Sequence, residues 1–156
     1  PKPIFKKNEL NKIIKDSFNL MKTNDKDIEF NFVFEKVYFV NGDIEQLNRV
    51  FINLFKNSIE SLKEKHEKMG DFQKKIDVEI QLINDYISIV VQDNGTGFTN
   101  NDLKTLSKPY FTTKKEGSGL GLSIVEKILN DHNGFIEFIS QKEGAKIKIL
   151  LPKYGN

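Results

Sequence analysis

The sequence predicts an α+β protein: a two-layer α/β sandwich with helices on one face of a mixed, mostly antiparallel sheet. Three observations predict it. The element order is α β β α β β, a long irregular segment, then α β β. The strands come in pairs joined by short turns instead of alternating with helices, which argues against a doubly wound parallel sheet. The helices carry wide apolar faces, so each needs a layer to lie on.

Residues 1–7, with Pro1 and Pro3, form an expected linker, and 8–156 the domain itself. Asn8 can cap a helix to about Met21, with Leu10, Ile13, Ile14, Phe18 and Met21 on one face. KTNDKD (22–27) is a turn. Ile28 to Glu35 alternates apolar and polar residues as a strand does, and Val37 to Val40 is a second short strand ended by Asn41-Gly42. Asp43 to about Glu64 is the dominant helix. Asp43 and Gln46 make its capping box. Leu47, Val50, Phe51, Leu54, Phe55, Ile59 and Leu62 cover more than half its circumference, so it is largely buried. Residues 63–75 are charged and polar, an expected solvated loop. Ile76 to Ile83 and Tyr86 to Gln92 form a hairpin around Asn84-Asp85. Residues 93–117 are rich in Gly, Thr and Lys, with at most one short helix near 100–107, and a loop that long inside a compact domain is functional or mobile. Ser118 to about Asn133 is the third long helix, stopped by Gly134. Phe135 to Ile139 and Ala145 to Leu151 make the last hairpin.

Composition narrows the function classes. The chain has 156 residues, 38% hydrophobic and 29% charged, which fits one globular domain with a proper core. With 24 basic and 22 acidic residues the net charge is +2, which points to neither nucleic acid nor a membrane surface. Cysteine is absent, so thiolate catalysis, zinc–thiolate sites and disulfides are excluded. No apolar run has the length of a membrane span. An intracellular location fits this composition.

The dominant helix carries a polar stripe on its remaining face: Asn53, Asn57 and Glu60 at i, i+4, i+7. Asparagine competes with the helix backbone for hydrogen bonds, so two of them a turn apart need a reason. One reading is a solvated stripe. The other is a wall facing a ligand, because a carboxamide oxygen can bind Mg²⁺ without adding charge, and Mg²⁺ arrives with phosphates. Asp93-Asn94-Gly95-Thr96-Gly97 follows a strand. It is either a tight turn or a site in which Asp93 accepts from a purine amino group while Gly95 and Gly97 let a flat ring approach the backbone. Gly117-Ser118-Gly119-Leu120-Gly121-Leu122 opens a helix, where amides converge on an anion. Three glycines there cost roughly 1 kcal/mol each relative to alanine. No Gly-Lys-Ser/Thr follows and no strand precedes, so this is neither a Walker A loop nor a dinucleotide fingerprint. Lys114 and Lys115 are either a solvated basic patch or, for Lys114, a point charge on a phosphate. Phe111 is a candidate anchor for the segment.

These pieces in this order resemble the ATP-binding catalytic domain of sensor histidine kinases, in the superfamily that also holds DNA gyrase, Hsp90 and MutL. The resemblance covers nearly the whole chain. Asn53 and Asn57 match the N box, Asp93 to Gly97 the first glycine box, Lys108 to Lys114 the F box, and Gly117 to Leu122 the second glycine box. NLFKNSIESL, YFTTK and GSGLGLSIVEKI look most like the nitrogen-regulatory NtrB and NtrY class. The resemblance implies the Bergerat-type ATP-binding fold, ATP and Mg²⁺ as cofactors, and transfer of the γ-phosphate to a histidine for relay to a response regulator. Asn53, Asn57 and Lys114 are then the catalytic residues and Asn57 the metal ligand. Asn53, Asn57, Asp93, Gly95, Gly97, Phe111, Thr112, Thr113, Lys114, Gly117, Ser118, Gly119, Leu120, Gly121 and Leu122 hold the nucleotide. Glu60 has no firm role.

Two departures matter. Hydrolytic relatives place a glutamate base at the position of Asn53, and asparagine cannot take a proton from water. This favours transfer over an ATP-hydrolysing conformational module. His66 and His132 are expected at the surface outside any H-box, so the acceptor histidine is expected on a dimerisation domain upstream of Pro1, joined by the 1–7 linker. The expected partners are that histidine phosphotransfer domain and a response regulator receiver domain, with no nucleic acid and no membrane contact by this segment. The segment is expected to be monomeric and cytoplasmic, its parent a homodimer that can sit in an inner membrane. An anti-sigma-type serine kinase is the alternative, needing no histidine domain.

Overall fold

The computed structural model describes residues 2–22, 27–97, 119–139 and 141–155. In chain order the elements are β1 (Lys6–Glu9), α1 (Leu10–Met21), β2 (Glu29–Phe34), β3 (Phe39–Gly42), α2 (Ile44–Met69), β4 (Lys75–Ile83), β5 (Tyr86–Asp93), α3 (Gly119–Asp131), β6 (Phe135–Ile139) and β7 (Lys146–Pro152). β2, β4, β5, β7 and β6 form a five-stranded sheet in that spatial order. β2 runs parallel to β4, and the other neighbouring pairs are antiparallel. The α+β architecture and the mixed, mostly antiparallel sheet are those the sequence predicts.

One face of the sheet is apolar because the strands alternate. Ile76, Val78 and Ile80 of β4, Ile87, Ile89 and Val91 of β5, and Ile147, Ile149 and Leu151 of β7 are all buried. They align across the strands: Val78 faces Val91, and Val91 faces Ile147. Ile14 and Phe18 of α1, Phe51 and Phe55 of α2, and Val125 and Leu129 of α3 belong to the same core. The helices therefore cover that one face, while Asp77 and Glu79 point to the other and stay exposed. Fully burying a side chain of this size contributes roughly 1.5–3 kcal/mol. Phe18 stacks on Phe30 at 3.7 Å and meets Phe55 edge-on at 5.4 Å, which pins edge strand β2 to α1 and α2.

The structure corrects several local expectations. The chain is already folded within the expected linker, because β1 begins at Lys6 and pairs with β3. Asn8 does not cap α1: it lies in β1, its Nδ2 donating to the Gly42 carbonyl at 2.9 Å, and Glu9 takes the cap position with no side-chain bond. β2 and β3 make no hairpin, and β3 runs over Phe39–Gly42 because its partner is β1. α2 continues to Met69, so most of the expected loop at 63–75 is helix. Its charged residues carry i,i+4 pairs such as Glu64 with Lys68, which support a solvated helix that apolar periodicity does not reveal.

The largest correction is His132, which is buried and not on the surface. Asp43 caps α2 as expected, its Oδ1 accepting from the Gln46 N–H at 3.1 Å. The reciprocal half of the capping box is absent. The Asp43 N–H instead donates to His132 Nε2 at 3.0 Å, and His132 Nδ1 lies 2.7 Å from the Ile128 carbonyl. Neutral imidazole with its proton on Nδ1 satisfies both contacts. The ring also stacks on Phe5 at 4.6 Å. His132 thus ties the end of α3 to the start of α2. The Asp43 carboxylate is held below its ordinary value, first by the Ile4 N–H and then by that of Gln46. His132→Ala is expected to cost about 2–4 kcal/mol, from the deserted donor and the lost packing. Thermal unfolding checks this, since a surface histidine would move stability by no more than about 0.5 kcal/mol.

Candidate functional site

Asp93 is the last residue of β5 and continues its buried row, Ile87, Ile89, Val91, Asp93. A carboxylate only 4% exposed must be answered by donors. Its Oδ1 accepts from the Gly95 N–H at 2.9 Å and the Ala145 N–H at 3.3 Å, with the Ser61 hydroxyl at 3.5 Å. Ser61 Oγ in turn accepts from the Thr96 N–H at 2.9 Å. Three chain segments meet here: the 93–97 turn, the β6–β7 connection, and α2.

The glycines make that meeting possible. A Cβ on Gly95 would lie 2.6 Å from the Ser61 carbonyl carbon, so helix and turn touch only because it is missing. Gly97 has φ +79, and its Cβ would lie 2.5 Å from the Gly144 oxygen. Gly144, at φ +76, packs directly on the Asp93 carbonyl. In the described residues the space freed at Gly95 and Gly97 is filled by neighbouring backbone, which adds a packing reason to the ring-approach reason expected for them. Asn94 closes the far side: its Nδ2 donates to the Gln73 carbonyl at 2.7 Å, and its Oδ1 accepts from the Lys75 N–H at 2.8 Å.

Ser61 places the asparagines. Asn57 is one turn before it and Asn53 two turns before, on the same stripe. By helical rise they lie roughly 6 and 12 Å along the axis from Ser61. Both are half-buried. Asp93 and the asparagine stripe therefore share one wall. Leu122 is buried in the core. Gly119, Leu120 and Gly121 form the first turn of α3, which packs against α2. Phe111, Thr112, Thr113, Lys114, Gly117 and Ser118 lie outside the described residues. No group of three or more His, Cys, Asp or Glu among the described residues could hold a metal.

Residues 42–155 match the family model described as histidine kinase-, DNA gyrase B-, and HSP90-like ATPase. The chain belongs to that family. Among curated relatives of this ATPase domain, sporulation kinase C of Bacillus subtilis is 35% identical over 155 residues, covering 95% of this chain and 34% of the relative. A putative NtrY-like sensor histidine kinase of Rickettsia conorii is 35% identical over 151 residues, covering 96% of this chain and 24% of the relative. The chain thus spans about a third and about a quarter of these relatives' length. Among solved structures, the nucleotide-free catalytic domain of histidine kinase ThkA matches with a TM-score of 0.82 at 28% identity, covering 96% of each chain. ThkA in complex with response regulator TrrA matches with a TM-score of 0.75 at 26% identity, covering 96% of this chain and 42% of that one.

Four residues around Asp93 in this ATPase domain went unread in the sequence: Ser61, Lys65, Gly144 and Ala145. Ser61 and Lys65 extend the Asn53–Asn57 series at the same four-residue interval, a signal that was legible. The β6–β7 connection carried none beyond an ordinary Lys-Glu-Gly turn.

Proposed function

We propose that this chain is the ATP-binding catalytic domain of a sensor histidine kinase, passing the ATP γ-phosphate to a histidine on a dimerisation domain of the same parent for relay to a response regulator receiver domain. The observation that carries the reading is the buried Asp93 carboxylate sharing a wall with Asn53 and Asn57. In this reading Asp93 accepts from the adenine amino group and the Gly95–Gly97 backbone borders the base. Asn53 lies against the phosphates. Asn57 offers Mg²⁺ one neutral oxygen, a donor that suits a cation completing its shell with phosphate oxygens and water. Bound Mg²⁺ supplies charge neutralisation across the phosphates. Phe111, Thr112, Thr113, Lys114 and Gly117 to Leu122 are the residues this reading assigns to the rest of the nucleotide. A helix of 13 residues tied by His132 to Asp43 can reach back about 20 Å, which supports bringing Gly119 to the level of Asn57.

Asn53 leaves the site without a base for water, so the reading is positioning for transfer, not hydrolysis. The acceptor lies elsewhere: His132 has both ring nitrogens engaged, and His66 sits beside Asp71 at 3.4 Å on the last turn of α2. ATP use fits a cytoplasmic position; no helix among the described residues is long and apolar enough to cross a membrane. Mixing the chain with labelled Mg·ATP and a separately produced dimerisation domain of the parent tests the proposal. Label should appear as acid-labile phosphohistidine on the added domain, with little turnover without it. Steady hydrolysis by the chain alone and no transfer would sink the reading.

A further inference from the structure

The cluster at the far end of the polar stripe is assigned no role by the reading above. Lys65 lies on α2, one turn beyond Ser61, in the part of the helix that the sequence presents as loop. Its side chain is only 12% exposed. Its Nζ donates to the Asn94 carbonyl at 2.8 Å and to Glu143 Oε1 at 2.9 Å, and it sits 4.5 Å from the centre of the Phe72 ring. An ammonium has three donors and no acceptor. Here two go to oxygens on different segments and the charge faces an aromatic ring. Lys12–Asp16, Lys68–Glu64 and Lys127–Asp131 are ordinary i,i+4 pairs with lysines two-thirds exposed or more. Lys65 is unlike them in burial and in reach.

The two segments that Lys65 joins are the two that supply amides to Asp93. Asn94 precedes Gly95, whose N–H donates to Oδ1, and Glu143 lies two residues before Ala145, whose N–H donates to the same oxygen. Gly144 between them packs on the Asp93 carbonyl. We propose that Lys65 is a positioning residue for the base-reading carboxylate: it clamps the 93–97 turn to the β6–β7 connection and so fixes the direction in which Asp93 presents its other oxygen. This rests on the nucleotide reading of the site. The ammonium also holds Glu143 below its ordinary carboxylate value, through its hydrogen bond and then its charge.

Titration calorimetry on this chain with Mg·ADP and Mg·IDP separates the role from mere support, because inosine lacks the exocyclic amino group that Asp93 would take. Lys65→Met keeps an apolar side chain of similar length and removes the charge from the face of Phe72. It is expected to weaken ADP about tenfold and IDP less than about threefold, with Lys65→Arg recovering most of the loss. In an Asp93→Asn background the same substitution should cost less than about twofold, the signature of residues acting as one unit. Glu143→Gln, at an exposed position, gives a second route should Lys65→Met fold poorly, with a loss of about threefold confined to ADP. ADP affinity unchanged in both variants, or ADP and IDP weakened equally, would overturn the role of Lys65 while leaving the nucleotide site standing. No heat with ADP from the unaltered, folded chain would overturn both.

Discussion

Asp93→Asn is expected to lower ADP affinity by about a hundredfold or more while leaving the domain folded. Oδ1 already accepts from the Gly95 and Ala145 amides. In the proposed pose the other oxygen takes the adenine amino group, so both oxygens must accept. An asparagine side chain has one oxygen and one NH₂. Whichever way the amide turns, its NH₂ faces donors, either two backbone amides or the base. One of those groups is then left unpaired at a buried position, where that costs about 1–3 kcal/mol and the lost charge-assisted bond adds to it. Calorimetry with Mg·ADP, beside circular dichroism to verify folding, checks the result. Affinity within threefold of the unaltered chain would remove Asp93 from base recognition.

Gly144→Ala should be the most damaging single methyl group in the β6–β7 connection. The residue sits at φ +76, where a Cβ costs roughly 1–2 kcal/mol. That Cβ would also press on the Asp93 carbonyl and come within 2.9 Å of Asn94 Cα, both backbone atoms that cannot rotate away. Displacing backbone in a packed region adds about 1–3 kcal/mol. A total near 3 kcal/mol corresponds to a drop in Tm of about 6–12 °C for a domain of this size. ADP affinity should fall as well, because the Ala145 amide moves with the turn. Gly70→Ala, at φ +84 with nothing within 4 Å of a Cβ, costs backbone strain alone and should leave ADP affinity unchanged. If Gly144→Ala costs less than about 1 kcal/mol and leaves ADP affinity unchanged, the close approach of Gly144 to Asp93 carries no weight.

The parts of this protein that the sequence disclosed are those written in periodic or conformationally costly residues. The alternation of β4 and β5, the apolar face of α2 and the Asp43 cap could be read because each repeats a local rule. Asp93 stood out because a charged residue ended an apolar strand and two glycines followed. The α2 extension past Glu64 was hidden because its turns are held by charge pairs and carry no apolar stripe. His132 was misplaced for a different reason. Its partner across the fold, Asp43, is brought to it by tertiary folding, and a lone histidine near a helix end gives no sign of a partner 89 positions away. The parallel pairing of β2 with β4 was equally invisible, since a strand carries no mark of its partner's identity. The clamp at Lys65 combines both problems.

The inward row of β5 has a bearing on how this protein tolerates change in length. Asp93 is level with Ile76 across β4, and the preceding Gln92 with Lys146 across β7. Side chains on a strand change face at every step. One residue inserted between Ile87 and Val91 would turn a carboxylate meant for the interior to the opposite face and move Gln92 into its place. The same insertion at Asn84-Asp85, beyond the last paired position, shifts nothing along the row. The chemistry of the site is thus locked to the parity of one strand, and indels on this lineage have room at the hairpin tip and almost none in the seven residues that follow Tyr86.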